Sequence, residues 1–182
     1  MISFKKFISE DVSDTSDTVG VFLGRFQPCT KAHADIIKKM ASENKKAILY
    51  LVKGKITSKN KEQNPFNKDL QIKMLKKVSP SNVEIKVLPT GFFIDDINER
   101  PEDNFVVYAG SDREKQYQKF FSYIEEGKKI RIEHIKRSAD DISATKLRDA
   151  LRKDDKIAFS KLAPKELQSM YKELKDAISE ND

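Results

Sequence analysis

Val19-Gly20-Val21-Phe22-Leu23-Gly24-Arg25-Phe26-Gln27-Pro28-Cys29-Thr30-Lys31-Ala32-His33 carries the chain from a buried strand into a helix. Residues 19–23 are continuously apolar, the pattern of a strand covered on both faces. Gly24 and Pro28 supply the sharp turn that must follow. Thr30 is placed to cap the next helix, which puts His33 at its third position, among amides that point at any bound anion. Residues 31–43 continue the helix, with Ala34, Ile36, Ile37, Met40 and Ala41 at helical spacing.

The same alternation continues downstream. Residues 47–52 form a second apolar strand, 83–88 alternate like a third, 105–109 lack any polar side chain, and 130–135 make a fifth. Helices are expected over about 67–77, with Leu70, Met74 and Leu75 on the apolar face, and over 113–126. The end of the chain reads as helical, with Pro164 in the first turn of the terminal helix. Strand and helix in alternation predict a Rossmann-like three-layer α/β/α sandwich on a parallel five-stranded sheet. Ligands of such sheets lie at the carboxyl ends of the strands, near the topological switch point.

Composition bounds the class. The chain has 182 residues with 35 Lys and Arg against 29 Asp and Glu, a net charge of +6, which suits an anionic partner. Nucleic acid is one such partner, but there is no zinc-finger spacing, no aromatic RNA-binding strand and no helix-turn-helix pattern. A single cysteine, Cys29, excludes an internal disulfide framework and a thiolate metal cluster, and fits a reducing cytoplasmic compartment. No apolar run reaches the roughly 18 residues of a membrane span. Residues 1–18 read as a flexible leader and linker: Phe4, Phe7 and Ile8 give a short amphipathic turn, followed by an acidic Ser/Thr-rich stretch.

A second segment complements the first. In Ile142-Ser143-Ala144-Thr145-Lys146-Leu147-Arg148, Ser143 can cap a helix whose first turns set Thr145 and Arg148 on one face. Two hydroxyls, a guanidinium and free helix amides suit a polyphosphate. The opposite face, Leu147, Ala150 and Leu151, is that of an ordinary buried helix.

Taken together, GRFQPxTxxH after the first strand and ISATxxR near the end resemble the nucleotidylyltransferase superfamily, with its (T/H)xGH and ISSTxxR motifs. GRFQP, with Asn64-Pro65-Phe66 and Met74-Leu75, is similar to archaeal-type nicotinamide-mononucleotide adenylyltransferases. The stretch Ser143–Arg148 is similar to phage-encoded cytidylyltransferase-like proteins, and Ile8-Ser9-Glu10 resembles the cleaved leaders of T-even-type phage proteins. The resemblance covers residues 19–152, with 153–182 expected as helices packed on the same domain. Two positions depart from the pattern, Ala32 in place of Gly and Ala144 in place of Ser, while Thr30 rather than His at the first motif position is a variant the superfamily accepts.

The resemblance implies transfer of a nucleoside monophosphate from ATP or CTP to a phosphorylated small-molecule acceptor, with Mg²⁺ carried by the triphosphate. It implies His33, Thr30 and Arg148 as catalytic residues. Gly24, Arg25, Phe26, Gly110, Ser111, Asp112, Ser143, Thr145 and Arg148 would bind the nucleotide. Arg25, Lys53 and Lys55 would grip the acceptor. No dedicated protein metal site is expected, and homo-oligomerisation is left open. Asp112 is read as a cap for the helix at 113, Asp140-Asp141 as a turn and capping pair, and His134 as structural. Cys29 lies in the motif loop with nothing beside it to mark a nucleophile.

Overall fold

In the computed structural model, residues 18–53, 60–136 and 143–180 are described. The leader, Lys55 and the Asp140-Asp141 pair therefore lie outside the described residues. Five strands form one sheet: β1 (Thr18–Gly24), β2 (Lys46–Val52), β3 (Val83–Leu88), β4 (Asn104–Ala109) and β5 (Lys129–His134). Every pairing is parallel and the order is β3-β2-β1-β4-β5. The expected α/β/α architecture is thus what the chain adopts. The order reverses between β1 and β4, where Phe22 is in register with Tyr108. This is the switch point at which the strand ends open into a crevice.

Period-two alternation divides the core. Phe22, Leu49, Leu51, Val106 and Tyr108 face one layer, while Val21, Ile48, Tyr50, Phe105 and Val107 face the other. The first layer is built by α1 (Lys31–Glu43), α2 (Lys68–Val78), α5 (Ala144–Arg152), α6 (Lys156–Leu162) and α7 (Tyr171–Ser179). The second is built by α3 (Ile94–Glu99) and α4 (Ser111–Phe121). Ile37, Met40, Leu75, Leu151 and Phe159 are fully buried, and each side chain of this size contributes roughly 1.5–3 kcal/mol on leaving water. A Cβ at Gly20 would come 2.5 Å from Met40 Cγ, so the glycine lets α1 lie close on β1.

Three local expectations are corrected. The helix expected over 113–126 runs from Ser111 to Phe121, because Asn98 accepts from Glu125 N–H (3.1 Å) and donates to the Tyr123 carbonyl (3.0 Å), diverting the chain. Asp112 is not its cap: Gly110 is, without a side-chain bond, and Asp112 sits inside the first turn. Pro164 precedes a 3-10 helix, Lys165–Met170, that leads into α7. Between β3 and β4, α3 is a helix of six residues, too short for periodicity to announce. No helix among the described residues is long and apolar enough to cross a membrane.

Candidate nucleotide-transfer site

The turn after β1 is held by side chains from three other elements. Phe26 adopts φ +48°, left-handed backbone that costs a non-glycine residue about 1 kcal/mol or more. Its ring, 2% exposed, folds back over Gly24, where a Cβ would stand 2.7 Å from the ring. Gly24 is therefore required by the close approach of Phe26. The same ring meets His33 edge-on, with centroids 5.1 Å apart, and Phe22 at 5.8 Å. So Phe26 buttresses His33, and only its backbone is left to face a ligand.

Thr30 caps α1 as expected. Its Oγ1 accepts from the His33 N–H at 3.3 Å, while its own N–H donates to His33 Nδ1 at 3.1 Å. Because that amide is an obligate donor, Nδ1 is the acceptor and a neutral ring carries its proton on Nε2. Two hydrogen bonds and an aromatic edge thus fix one rotamer and one tautomer of His33. Thr30 itself is 1% exposed, so it acts on His33 rather than on solvent. Ala32, where the motif has Gly, lies half-buried in the same first turn.

The second motif closes on the first. Ser143 caps α5 by accepting from Lys146 N–H (3.2 Å), and Arg148 Nη2 donates to Thr145 Oγ1 (3.1 Å), so the two share a face as expected. Arg148 Nη1 donates to the Gln27 carbonyl at 2.6 Å, a bond across 121 residues of sequence. The Arg148 Nε is buried with no partner among the described residues. Burial chiefly pushes this guanidinium below its ordinary range, and the neighbouring Arg152 and Arg25 add to that while Asp149 and Glu62 oppose it. Lys146 is exposed on the outer side of the helix.

Two glutamines complete the frame, Gln27 from within GRFQP and Gln71 from outside either motif. The Gln27 amide donates to the Phe66 carbonyl (2.8 Å) and accepts from the Phe66 N–H (3.0 Å), tying GRFQP to the NPF segment. Gln71, 6% exposed on α2, donates to the Arg25 carbonyl. A sequence signal for Gln71 exists: it interrupts the apolar stripe that Met74, Leu75 and Val78 continue. On the other side of the crevice, Gly110 is buried at the end of β4 and Ser111 and Asp112 open α4. Arg25 and Lys53 instead line a cleft of about 560 Å³ on the β2–β3 side. Cys29 is fully buried and burial drives its thiol well above the ordinary range, so it is no nucleophile. His134 is exposed at the end of β5, 3.9 Å from Glu114.

A parallel 3-2-1-4-5 sheet with a capped His and a buried Arg at its switch point defines an α/β domain of the nucleotidylyltransferase superfamily. The profile of the cytidylyltransferase-like family matches residues 21–150, and the chain belongs to that family. No curated protein is significantly similar to it in sequence. Among solved structures, the nicotinic acid mononucleotide adenylyltransferase of Plasmodium falciparum, complexed with NaAD, superposes with a TM-score of 0.61 at 14% identity. That match covers 88% of this chain and 98% of the other. A bifunctional NMN adenylyltransferase/ADP ribose pyrophosphatase from Francisella tularensis gives 0.60 at 17% identity over 90% of this chain. The chain spans about half of that longer enzyme, 52%. The same Francisella protein is also known with AMP and a manganese ion, at a TM-score of 0.55 and 17% identity, with 90% and 52% covered. At such identities the likeness is one of fold.

Proposed function

We propose that the protein is a nucleotidyltransferase, moving the nucleoside monophosphate of ATP or CTP onto a phosphorylated small molecule. An acceptor phosphate oxygen attacks the α-phosphorus, the bond to the bridging oxygen of the β-phosphate breaks, and pyrophosphate leaves with that electron pair. Such a reaction needs positioning and charge neutralisation more than a covalent intermediate. The observation that carries the reading is Arg148: buried, bonded among the described residues to neutral oxygens, and flanked by Arg25 and Arg152. A polyphosphate is the ligand that matches this surplus of positive charge.

In this reading Arg148, Thr145, Ser143 and the amides of α5 hold the β- and γ-phosphates. The His33 Nε2–H donates to the α-phosphate as charge builds on its oxygens, a contribution worth about 10²–10³ in rate for one preorganised donor. Thr30 is a positioning residue: its hydroxyl caps the turn that carries His33, and its backbone amide sets the tautomer. Gly24, the Phe26 backbone and Gly110 to Asp112 border the nucleoside across the switch point, and Arg25 with Lys53 receives the acceptor phosphate. Mg²⁺ enters as part of the substrate, the metal–triphosphate complex. Among the described residues no group of three or more His, Cys, Asp or Glu side chains could hold it.

The test is pyrophosphate release from ATP, CTP, GTP and UTP with Mg²⁺ across a panel of phosphorylated acceptors. Release with at least one pair is expected. Silence across the whole panel would end the enzyme reading.

A further inference from the structure

Past Gly24 the motif loop leaves the sheet, and its carbonyls no longer have strand partners. Three consecutive carbonyls are met by side chains instead. Gln71 donates to Arg25 and reaches Phe26 at 3.5 Å, and Arg148 Nη1 donates to Gln27 at 2.6 Å. Carbonyls taken out of water need partners, so a loop of this kind takes its position from the residues that hold it. Gln71 stands on α2 and Arg148 on α5.

Gln27 joins these two helices from the middle of the loop. Its side-chain amide pairs with both backbone groups of Phe66, at 2.8 and 3.0 Å, just before Asn67 caps α2. The Phe66 N–H can only donate and its carbonyl can only accept, so the amide has one orientation. The main-chain carbonyl of the same Gln27 is the anchor of Arg148. One turn further along α5, Arg152 Nη2 donates to the Glu62 carbonyl at 2.9 Å, in the turn that Asn64 N–H closes on the Asn60 carbonyl at 3.0 Å. Residues 60–66 thus meet the first motif through Gln27 and the helix of the second through Arg152.

We propose that Gln27 is a positioning residue of the triphosphate site: its side chain fixes the loop to the start of α2, so that its own carbonyl holds Arg148 in place for the nucleotide. The effect passes through Arg148 and not through His33, which Thr30 and Phe26 fix separately. This rests on the transfer reaction proposed above and adds the residue that places its arginine.

A double-mutant cycle on the full chain tests it, with ATP and CTP titrated calorimetrically in the presence of Mg²⁺. Gln27→Met keeps the length of the side chain and removes both bonds to Phe66. It should weaken binding of the tighter nucleotide about tenfold. Arg148→Lys keeps a charge for the phosphates but loses the planar fork that spans the Gln27 carbonyl and Thr145. On that background Gln27→Met should change affinity by no more than about twofold. Gln27→Asn, one methylene short of the same pairing, is the milder second variant and should show the same dependence on Arg148. Thermal unfolding without ligand records the packing loss of each variant. A merely structural role would lower stability too, but it would not make the loss of affinity depend on Arg148. Equal losses with Arg148 and with Arg148→Lys, unchanged affinity in both Gln27 variants, or failure of both to fold would overturn the proposal and leave the transfer reaction standing. Binding of neither ATP nor CTP by wild type would instead overturn the transfer reaction, and the proposal with it.

Discussion

Two arginines, Arg148 buried and Arg100 half-buried, sit in this fold in opposite circumstances. Arg100, at the end of α3, makes a bidentate pair with Glu84 (2.8 and 2.9 Å) and a third bond to Asp96 (2.8 Å). Asp96 also binds Lys86 and the Tyr50 hydroxyl. Burial by itself would lower Arg100, but the Glu84 and Asp96 bonds outweigh it and hold the guanidinium far above its ordinary range. Among the described residues Arg148, 7% exposed, has no carboxylate in its hydrogen bonds and no partner for Nε, and it is pushed the other way by burial and by two arginines. Charge at Arg100 is spent within the fold, where it ties α3 to β3. At Arg148 it is held in reserve, and the fold supports that cost by anchoring the side chain to a backbone carbonyl of the motif loop.

The contrast is sharpest under substitution. Arg148→Met should cut pyrophosphate release about 10³-fold, while shifting unfolding free energy by less than about 1 kcal/mol, since losing two bonds to neutral oxygens is offset by removing a buried charge while the stem is kept. Turnover and urea unfolding on the same preparation check this, and a collapse of stability would make Arg148 a second Arg100. Arg100→Met should do the reverse. With Asp96 left short of a partner, stability should fall by about 3 kcal/mol, and turnover per folded molecule should stay within about twofold.

Acid titration separates the two in a different way. Burial would raise Asp96, but its bonds to Lys86, Tyr50 and Arg100 prevail and hold it below the ordinary carboxylate range. Glu84 is likewise lowered, chiefly by its bond to Arg100. Groups lowered on folding stabilise above their unfolded values, about 4, and lose that contribution as pH falls through the folded ones. Wild-type stability should therefore drop below about pH 4 more steeply than that of Arg100→Met, as urea melts along a pH series would record. Equal slopes would remove the network from the account. The smallest effect is expected at Thr30→Ala. Loss of the cap should cost about 1 kcal/mol, with turnover lowered about tenfold because the first turn that orients His33 is loosened, and Thr30→Ser should restore both.

The legible parts of the chain were those in which one local pattern implies one structure. Apolar runs at 19–23, 47–52 and 105–109 can only be strands covered on both faces, and they fixed the sheet. Thr30 and Ser143 were readable because a cap needs a hydroxyl at one position relative to the helix that follows. What stayed hidden was long-range polar pairing. Nothing local marks Gln27 as the partner of the Phe66 backbone or Arg148 as the partner of Gln27, since these bonds join positions 39 and 121 residues apart. The α3 network was hidden for the same reason, with Tyr50, Glu84 and Lys86 on strands and Asp96 on a helix of six residues.

The central claim is that the positive charge gathered at Arg148 exists for a triphosphate. Thermal unfolding of wild type, Arg148→Met and Arg100→Met, each with and without Mg²⁺ and ATP or CTP, tests it most directly. At 100 times its Kd a nucleotide should stabilise wild type and Arg100→Met by roughly 2.7 kcal/mol each. Arg148→Met should gain little at the same concentration. Equal stabilisation of all three proteins, or none in wild type with either nucleotide, would contradict it.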